Sequence, residues 1–102
     1  MSNVFTIPKS IKLGGHRIKV VIDHDTDDWG EYSRDKKIIT ISHKCLQNYN
    51  LFMETLRHEM VHASLDIAGI SYMQNYEEEC IVRCLDNLFF PAYDQVQKTL
   101  GQ

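Results

Sequence analysis

The sequence predicts an α+β fold, with a small sheet in the first part of the chain and helices in the rest. Short segments in which apolar and polar residues alternate fill residues 4–42, and glycine-rich, acidic or charged turns separate them. From Leu51 onward the apolar residues recur every three or four positions, which is typical of amphipathic helices. We therefore expect a small antiparallel or mixed sheet packed against two helices.

The composition limits the classes of protein to consider. A chain of 102 residues, 43% hydrophobic and 25% charged, suits a single soluble domain spanning residues 1–102. Its net charge of −3 argues against a nucleic-acid partner, which normally requires a basic face. No apolar run approaches the ~20 residues of a membrane span, and the N-terminus has no pattern of a secretory signal. Three cysteines without a C-x-x-C pair suit reduced thiols, so we expect a cytoplasmic protein.

The first strands are indicated by alternation and by glycine. Val4–Leu13 contains Pro8, which favours an edge strand or an irregular lead-in. Gly14-Gly15 predicts a two-residue hairpin turn. His16–Ile22 is then a half-buried strand, whose inward face carries alternate apolar residues: Ile18, Val20 and Ile22.

Asp23–Asp28 is an acidic turn with the D-x-D-x-D spacing that begins a calcium loop. Asp28 stands where such a loop needs glycine, and Arg34 stands where it needs a bidentate glutamate. The sequence therefore favours a solvated loop.

Two more strands follow, Trp29–Ser33 and Lys37–Ser42, and the second turns Ile39 and Ile41 inward. His43–Asn48 then connects the sheet to the helices. The three histidines of this half show no ligand spacing, and we expect them to be surface or hydrogen-bonded residues: His16, His24 and His43.

The segment Leu51–Ala68 is predicted to be the central helix. Asn50 is a suitable N-cap, and Gly69 follows the last helical residue, where a left-handed conformation is common. The apolar residues expected on its buried face are Leu56, Met60, Ala63 and Ile67.

This helix carries the motif H-E-x-x-H at residues 58–62. His58 and His62 are four residues apart, so both imidazoles project from one side of the helix, as two ligands of a tetrahedral Zn²⁺ require. Glu59 is rotated by about 100° from His58, within reach of a zinc-bound water that it can deprotonate. The sequence therefore predicts one Zn²⁺ per chain, with Glu59 as general base.

A short third helix is possible over Tyr93–Leu100. Before it, a second helix is expected from about Tyr76, and Pro91 should end or bend this second helix. Its first turn holds three glutamates, Glu77, Glu78 and Glu79. Its apolar face is predicted to comprise Ile81, Val82, Leu85, Leu88 and Phe89, with Cys80 and Cys84 as small buried residues. By helical periodicity, Glu78 is the glutamate that lines up best with the apolar face.

The order of strands, H-E-x-x-H helix and acidic helix resembles the minimal zinc peptidases, or zincins. It is similar in particular to gluzincin-like, peptidase-like proteins of bacteriophage and prophage genomes, akin to the ImmA/IrrE group. The residues that carry the resemblance lie between Gly30 and Phe89: Gly30–Tyr32, Lys37–Ile41, Thr55–Ala63 and Glu78–Leu85.

The resemblance has implications for the site and for the substrate. It implies a zincin-like fold in which a glutamate of the second helix is the third zinc ligand, and its E-x-x-V-x-x-L spacing is matched by Glu79. We choose Glu79, with Glu78 as the alternative. It also implies that an extended peptide binds along an edge of the sheet. Tyr72 and Tyr76 are candidate stabilisers of the oxyanion, with packing as their other role.

Two functions are consistent with these residues. The first is a zinc metallopeptidase, located in the cytoplasm of a bacterial host if the gene is phage-encoded. The second is a binding module with structural zinc that engages a host or phage protein. Glu59 favours the peptidase, because a structural site needs no general base.

Overall fold

The computed structural model describes residues 5–69 and 75–101. They belong to two compact units, residues 1–70 and residues 71–102. The described elements of the first unit are β1 (Ser10–Leu13), β2 (His16–Asp23), β3 (Gly30–Ser33), β4 (Ile38–Ser42), a 3₁₀ helix (His43–Gln47) and α1 (Tyr49–Ile67). Those of the second unit are α2 (Asn75–Cys84), a π-helical turn (Leu85–Phe89) and α3 (Phe90–Leu100).

The four strands form one mixed sheet in the order β1-β2-β4-β3. β2 and β4 are parallel, while β1 with β2 and β3 with β4 are antiparallel. The expected hairpin turn joins β1 to β2, where Gly14 and Gly15 have φ values of 55° and 86°. Such left-handed conformations at both central residues are typical of a tight hairpin turn and favour glycine. The prediction of a small mixed sheet beside helices is confirmed.

The core of the first unit lies between the sheet and α1. Ile18, Ile39 and Ile41 are fully buried, as the alternation in β2 and β4 predicts. Phe52 and Leu56 of α1 are buried in the same cluster. Burying a side chain of this size contributes about 1.5–3 kcal/mol relative to leaving it exposed.

The boundaries of α1 differ slightly from the prediction. The helix begins two residues earlier than expected, and its N-cap is Asn48, whose side chain accepts a hydrogen bond from the backbone N–H of Leu51. Asn50, the predicted cap, lies inside the first turn. At the other end Gly69 has a φ of 79°, and its N–H donates to the carbonyl of Asp66, as a glycine-terminated helix requires.

The second unit is helical throughout residues 75–100. Pro91 lies in the first turn of α3, where its missing N–H is tolerated. In the π-helical turn before it, the N–H of Phe90 donates to the carbonyl of Leu85. The prediction of the apolar face of the second helix is wrong in its extent. Val82 is buried, but Ile81, Leu88 and Phe89 are exposed. Cys80 and Cys84 are also exposed, so they are not the buried residues that we expected.

Among the described residues, no helix combines the length and the apolar character needed to cross a membrane.

Candidate metal centre

The two histidines of the H-E-x-x-H motif are adjacent on α1. A ring nitrogen of His58 and one of His62 lie within 4.8 Å of one another, and their ring centroids are 5.1 Å apart. Two imidazoles that bind one tetrahedral ion at about 2.0–2.1 Å per nitrogen have centroids roughly 5.2 Å apart. Both side chains are half-buried, so an ion held there would be partly shielded from water. This donor pair therefore fits Zn²⁺.

The carboxylate of Glu59 is buried beside the edge of the sheet. Its residue is 7% exposed, and α1 turns it toward the first residue of β3, Gly30. A Cβ atom at Gly30 would lie 3.2 Å from Cγ and 3.3 Å from Oε2 of Glu59, and 2.8 Å from Cγ2 of Thr55. The last distance is shorter than side-chain atoms allow, so Gly30 is the residue that lets β3 approach the helix here.

A polar network joins the C-terminal end of α1 to β3 and to the turn after it. The Tyr32 hydroxyl and the Lys37 ammonium both donate to Oδ2 of Asp66, each at 2.6 Å. Gly30 and Tyr32 are two residues apart in β3, so their side-chain positions share the face that meets α1. The close contact at Gly30 and the network therefore hold the same strand against α1 at two places, one at Thr55 and Glu59 and one at Asp66, beyond the motif.

The network changes the acidity of its members. Burial raises the pKa of Tyr32, and the hydrogen bond to Asp66 and the negative charge of that carboxylate raise it further. Burial by itself raises the pKa of Asp66, but hydrogen bonds from Lys37 and Tyr32 and the charges of Lys37 and Arg34 outweigh it and lower the pKa. Asp66 is therefore charged, and Tyr32 neutral, across the ordinary pH range.

The candidate third ligands belong to the second unit. In α2, Glu78 is buried, Glu79 is half-buried and Glu77 is exposed. Glu78 shares its helix face with the buried Val82, as the periodicity predicts. Tyr76 is 78% exposed, and Tyr72 lies outside the described residues.

His16 and His24 are exposed, as expected, and His43 is half-buried, but His24 and His43 are also in contact, which the sequence did not predict. The rings of His24 and His43 have centroids 5.2 Å apart and an interplanar angle of 34°. Asp23 pairs with Ser42 in the parallel ladder of β2 and β4, so the next residue of each strand emerges at the same end of the sheet. Their contact therefore results from strand pairing, which spacing along the chain does not reveal.

Sequence reasoning missed three features of this unit: the close approach at Gly30, the network around Asp66 and the His24–His43 pair. A glycine at the start of a strand is a weak sign of close backbone approach. No local signal marks Asp66 or the histidine pair, because their partners are distant in the chain.

Comparisons of this chain with models of protein families, with curated proteins and with solved structures found no match.

Proposed function

We propose that this protein is a zinc-dependent peptidase, with a zincin-like site built on α1. The observation that carries the proposal is the position of Glu59, buried between the histidine-bearing helix and the edge strand at Gly30. A carboxylate that served only for solubility would lie in solvent. Burial of this carboxyl group next to a donor pair for zinc supports a role in chemistry.

His58 and His62 would hold the ion, and Glu79 is our choice for the third ligand, with Glu78 as the alternative. Bound zinc would supply a water of lowered pKa and would polarise the carbonyl of the peptide bond.

Glu59 would act on protons at both stages of hydrolysis. Its carboxylate takes a proton from the attacking water and later delivers it to the amine of the leaving peptide. The contact with Gly30 limits the positions that this carboxylate can adopt, so it is held near the backbone of β3. Holding a general base at the strand that binds the substrate lowers the entropic cost of reaching a reactive geometry.

The edge of β3 supports a peptide as the substrate. β3 ends the strand order, and the described residues add no strand beyond it. Ser42 N–H donates to the Trp29 carbonyl, and antiparallel ladders alternate, so the backbone groups of Gly30 and Tyr32 point away from β4. An extended peptide could pair with those groups by strand addition, next to the carboxylate of Glu59.

The test compares wild type with Glu59→Gln in metal analysis and in cleavage of a broad peptide library. The variant should keep its zinc and lose hydrolysis by roughly 10²–10⁴-fold, the usual contribution of a general base. Glu54→Gln is the matched control, because Glu54 is an exposed glutamate on the same helix.

Equal turnover by wild type and Glu59→Gln would show that the activity arises elsewhere. If neither protein cleaves any peptide while both bind a protein partner equally, the zinc-stabilised binding module is the better description.

The third ligand is tested separately by zinc affinity. Single alanine substitutions at Glu77, Glu78 and Glu79 should weaken zinc binding most at Glu79. Glu77→Ala is the control, since that side chain is exposed. Loss confined to Glu78→Ala would show that helical periodicity was the better guide.

A further inference from the structure

The five histidines of the chain divide into two pairs and one isolated residue. His58 and His62 belong to the motif, His24 and His43 are in contact, and His16 lies exposed at the start of β2. The proposed peptidase uses only the first pair.

The separation of these rings is compatible with a shared metal ion. Their centroids are 5.2 Å apart, against 5.1 Å for His58 and His62. The value for two imidazoles on one tetrahedral ion is also roughly 5.2 Å, given metal–nitrogen bonds of about 2.0–2.1 Å.

A second observation concerns the ring of His43. Its Nδ1 atom is buried, and no hydrogen-bond partner for it occurs among the residues that the structure describes. A buried polar atom without a partner costs about 1–3 kcal/mol. An ion bound to this nitrogen would give it a partner.

The surroundings favour a cation. His24 lies within the acidic turn 23–28, which contains four aspartates and no lysine or arginine. Oδ1 of Asp23 accepts a hydrogen bond from the N–H of Asp25, which helps to hold the turn at this end of the sheet. Negative charge close to the pair lowers the free energy of a bound cation.

We propose that His24 and His43 form a second binding site for a transition-metal ion of the Zn²⁺ type. Within the described chain, no third histidine, cysteine, aspartate or glutamate has a ligand atom close enough to complete a cluster with them. Water, or a group from a second molecule, fills the remaining positions. Two protein ligands make this site weaker than one with three, and it is independent of the proposed peptidase.

The experiment isolates the second site by removing the other zinc ligands. The background protein is the full chain with His58→Ala, His62→Ala, Cys80→Ser and Cys84→Ser, because exposed thiols also bind zinc. Calorimetric titration with Zn²⁺ should show one remaining equivalent. Adding His24→Ala or His43→Ala should weaken it at least about tenfold, since even the loss of a residue that only supports a ligand costs 10–100-fold. Adding His16→Ala should leave it unchanged.

A spectroscopic measurement locates the ion without relying on affinity. Co²⁺, a paramagnetic substitute for zinc, should broaden the ring proton resonances of His24 and His43 in the background protein and spare those of His16. The proposal is overturned if the background protein binds no Zn²⁺, if His16→Ala weakens binding as much as His43→Ala, or if Co²⁺ affects all three histidines alike. A normal amide spectrum for each variant ensures that a loss of binding does not reflect unfolding.

Discussion

The two histidine pairs of this protein have nearly the same ring separation but opposite origins. His58 and His62 are adjacent because an α-helix returns to the same side after four residues. His24 and His43 are adjacent because β2 and β4 are parallel neighbours in the sheet, although 18 residues of chain separate the two. The first pair depends on local geometry, and the second depends on the tertiary fold.

The pairs also differ in their surroundings. A buried glutamate lies beside the helical pair, and a polar network joins the end of its helix to the edge strand. The sheet pair has an acidic turn but no buried carboxylate of its own among the described residues. A donor pair alone supports metal binding, whereas hydrolysis also requires a base held in place. Of the two pairs, only the helical one has a buried carboxyl group next to it among the described residues, as the proposed hydrolysis would need.

The largest expected effect is on the stability that bound zinc adds, and it should differ between variants of the two pairs. With free zinc at 100 times the dissociation constant of the first site, the ion should stabilise wild type by about 2.7 kcal/mol. The variant His58→Ala/His62→Ala should lose this stabilisation and all hydrolysis, while His24→Ala/His43→Ala should keep both. Thermal melts with and without zinc, together with peptide cleavage, measure the difference. Loss of hydrolysis in both double variants would contradict the division of roles.

The next largest effect should follow a substitution at Gly30. It tests whether the close packing of β3 against α1 holds Glu59 in place. Gly30→Ala places a methyl group 2.8 Å from Cγ2 of Thr55 and 3.3 Å from Oε2 of Glu59. We expect a loss of about 1–3 kcal/mol in the free energy of unfolding, typical of overpacking, and lower kcat with zinc retained. Chemical denaturation and steady-state kinetics provide the measurements.

Thr55→Ser removes the clashing methyl group and keeps the hydroxyl. In the double variant Gly30→Ala/Thr55→Ser it should restore most of the stability, which forms a double-mutant cycle. If the serine restores nothing, strain at Cγ2 is not the cause of the loss.

A smaller effect concerns the network at Asp66. Asp66→Asn removes a carboxylate that accepts two hydrogen bonds. We expect the free energy of unfolding to fall by about 1–2 kcal/mol at pH 7. The loss is modest because the Lys37 side chain is 41% exposed, so its ion pair with Asp66 is partly screened.

The same residue predicts a dependence on pH. The folded state lowers the pKa of Asp66, so its contribution is present above the unfolded pKa of about 3.9 and is lost as the pH falls through the lower folded value. The difference in stability between wild type and Asp66→Asn should therefore shrink below about pH 4. Denaturation at pH 7 and at pH 3 measures it, and a constant difference would show that the charge of Asp66 is not responsible.

The smallest expected effect is on stability, and it concerns two asparagines at the start of α1. Asn48→Ala removes the side chain that caps the N–H of Leu51 and should cost about 1 kcal/mol. Asn50→Ala changes an exposed residue inside the first turn and should stay within about 0.5 kcal/mol. A larger loss in Asn50→Ala than in Asn48→Ala would indicate that the helix begins at the position that the sequence suggested, and equal losses would contradict Asn48 as the cap.

Strand faces and the central helix were predicted well because both follow from short repeats. Ile18, Ile39 and Ile41 lie inward because side chains alternate along a strand, and Leu56 and Ala63 share a face because a helix turns every 3.6 residues. The prediction for the second unit was less accurate. Periodicity shows which residues share a face, as Glu78 and Val82 do, but not how far that face is covered, and Phe89 is exposed.

By itself the sequence determined the mixed α/β character of the chain, the hairpin at Gly14-Gly15 and the helical placement of His58, Glu59 and His62. Each of these depends on residues within about one or two turns of one another, where backbone geometry is decisive. The tertiary structure alone decided that β2 and β4 are parallel, that Gly30 meets Glu59 and that Asp66 accepts hydrogen bonds from Tyr32 and Lys37. Those contacts join residues 19 to 34 positions apart. Which distant segments meet depends on packing the whole core, for which no local pattern exists.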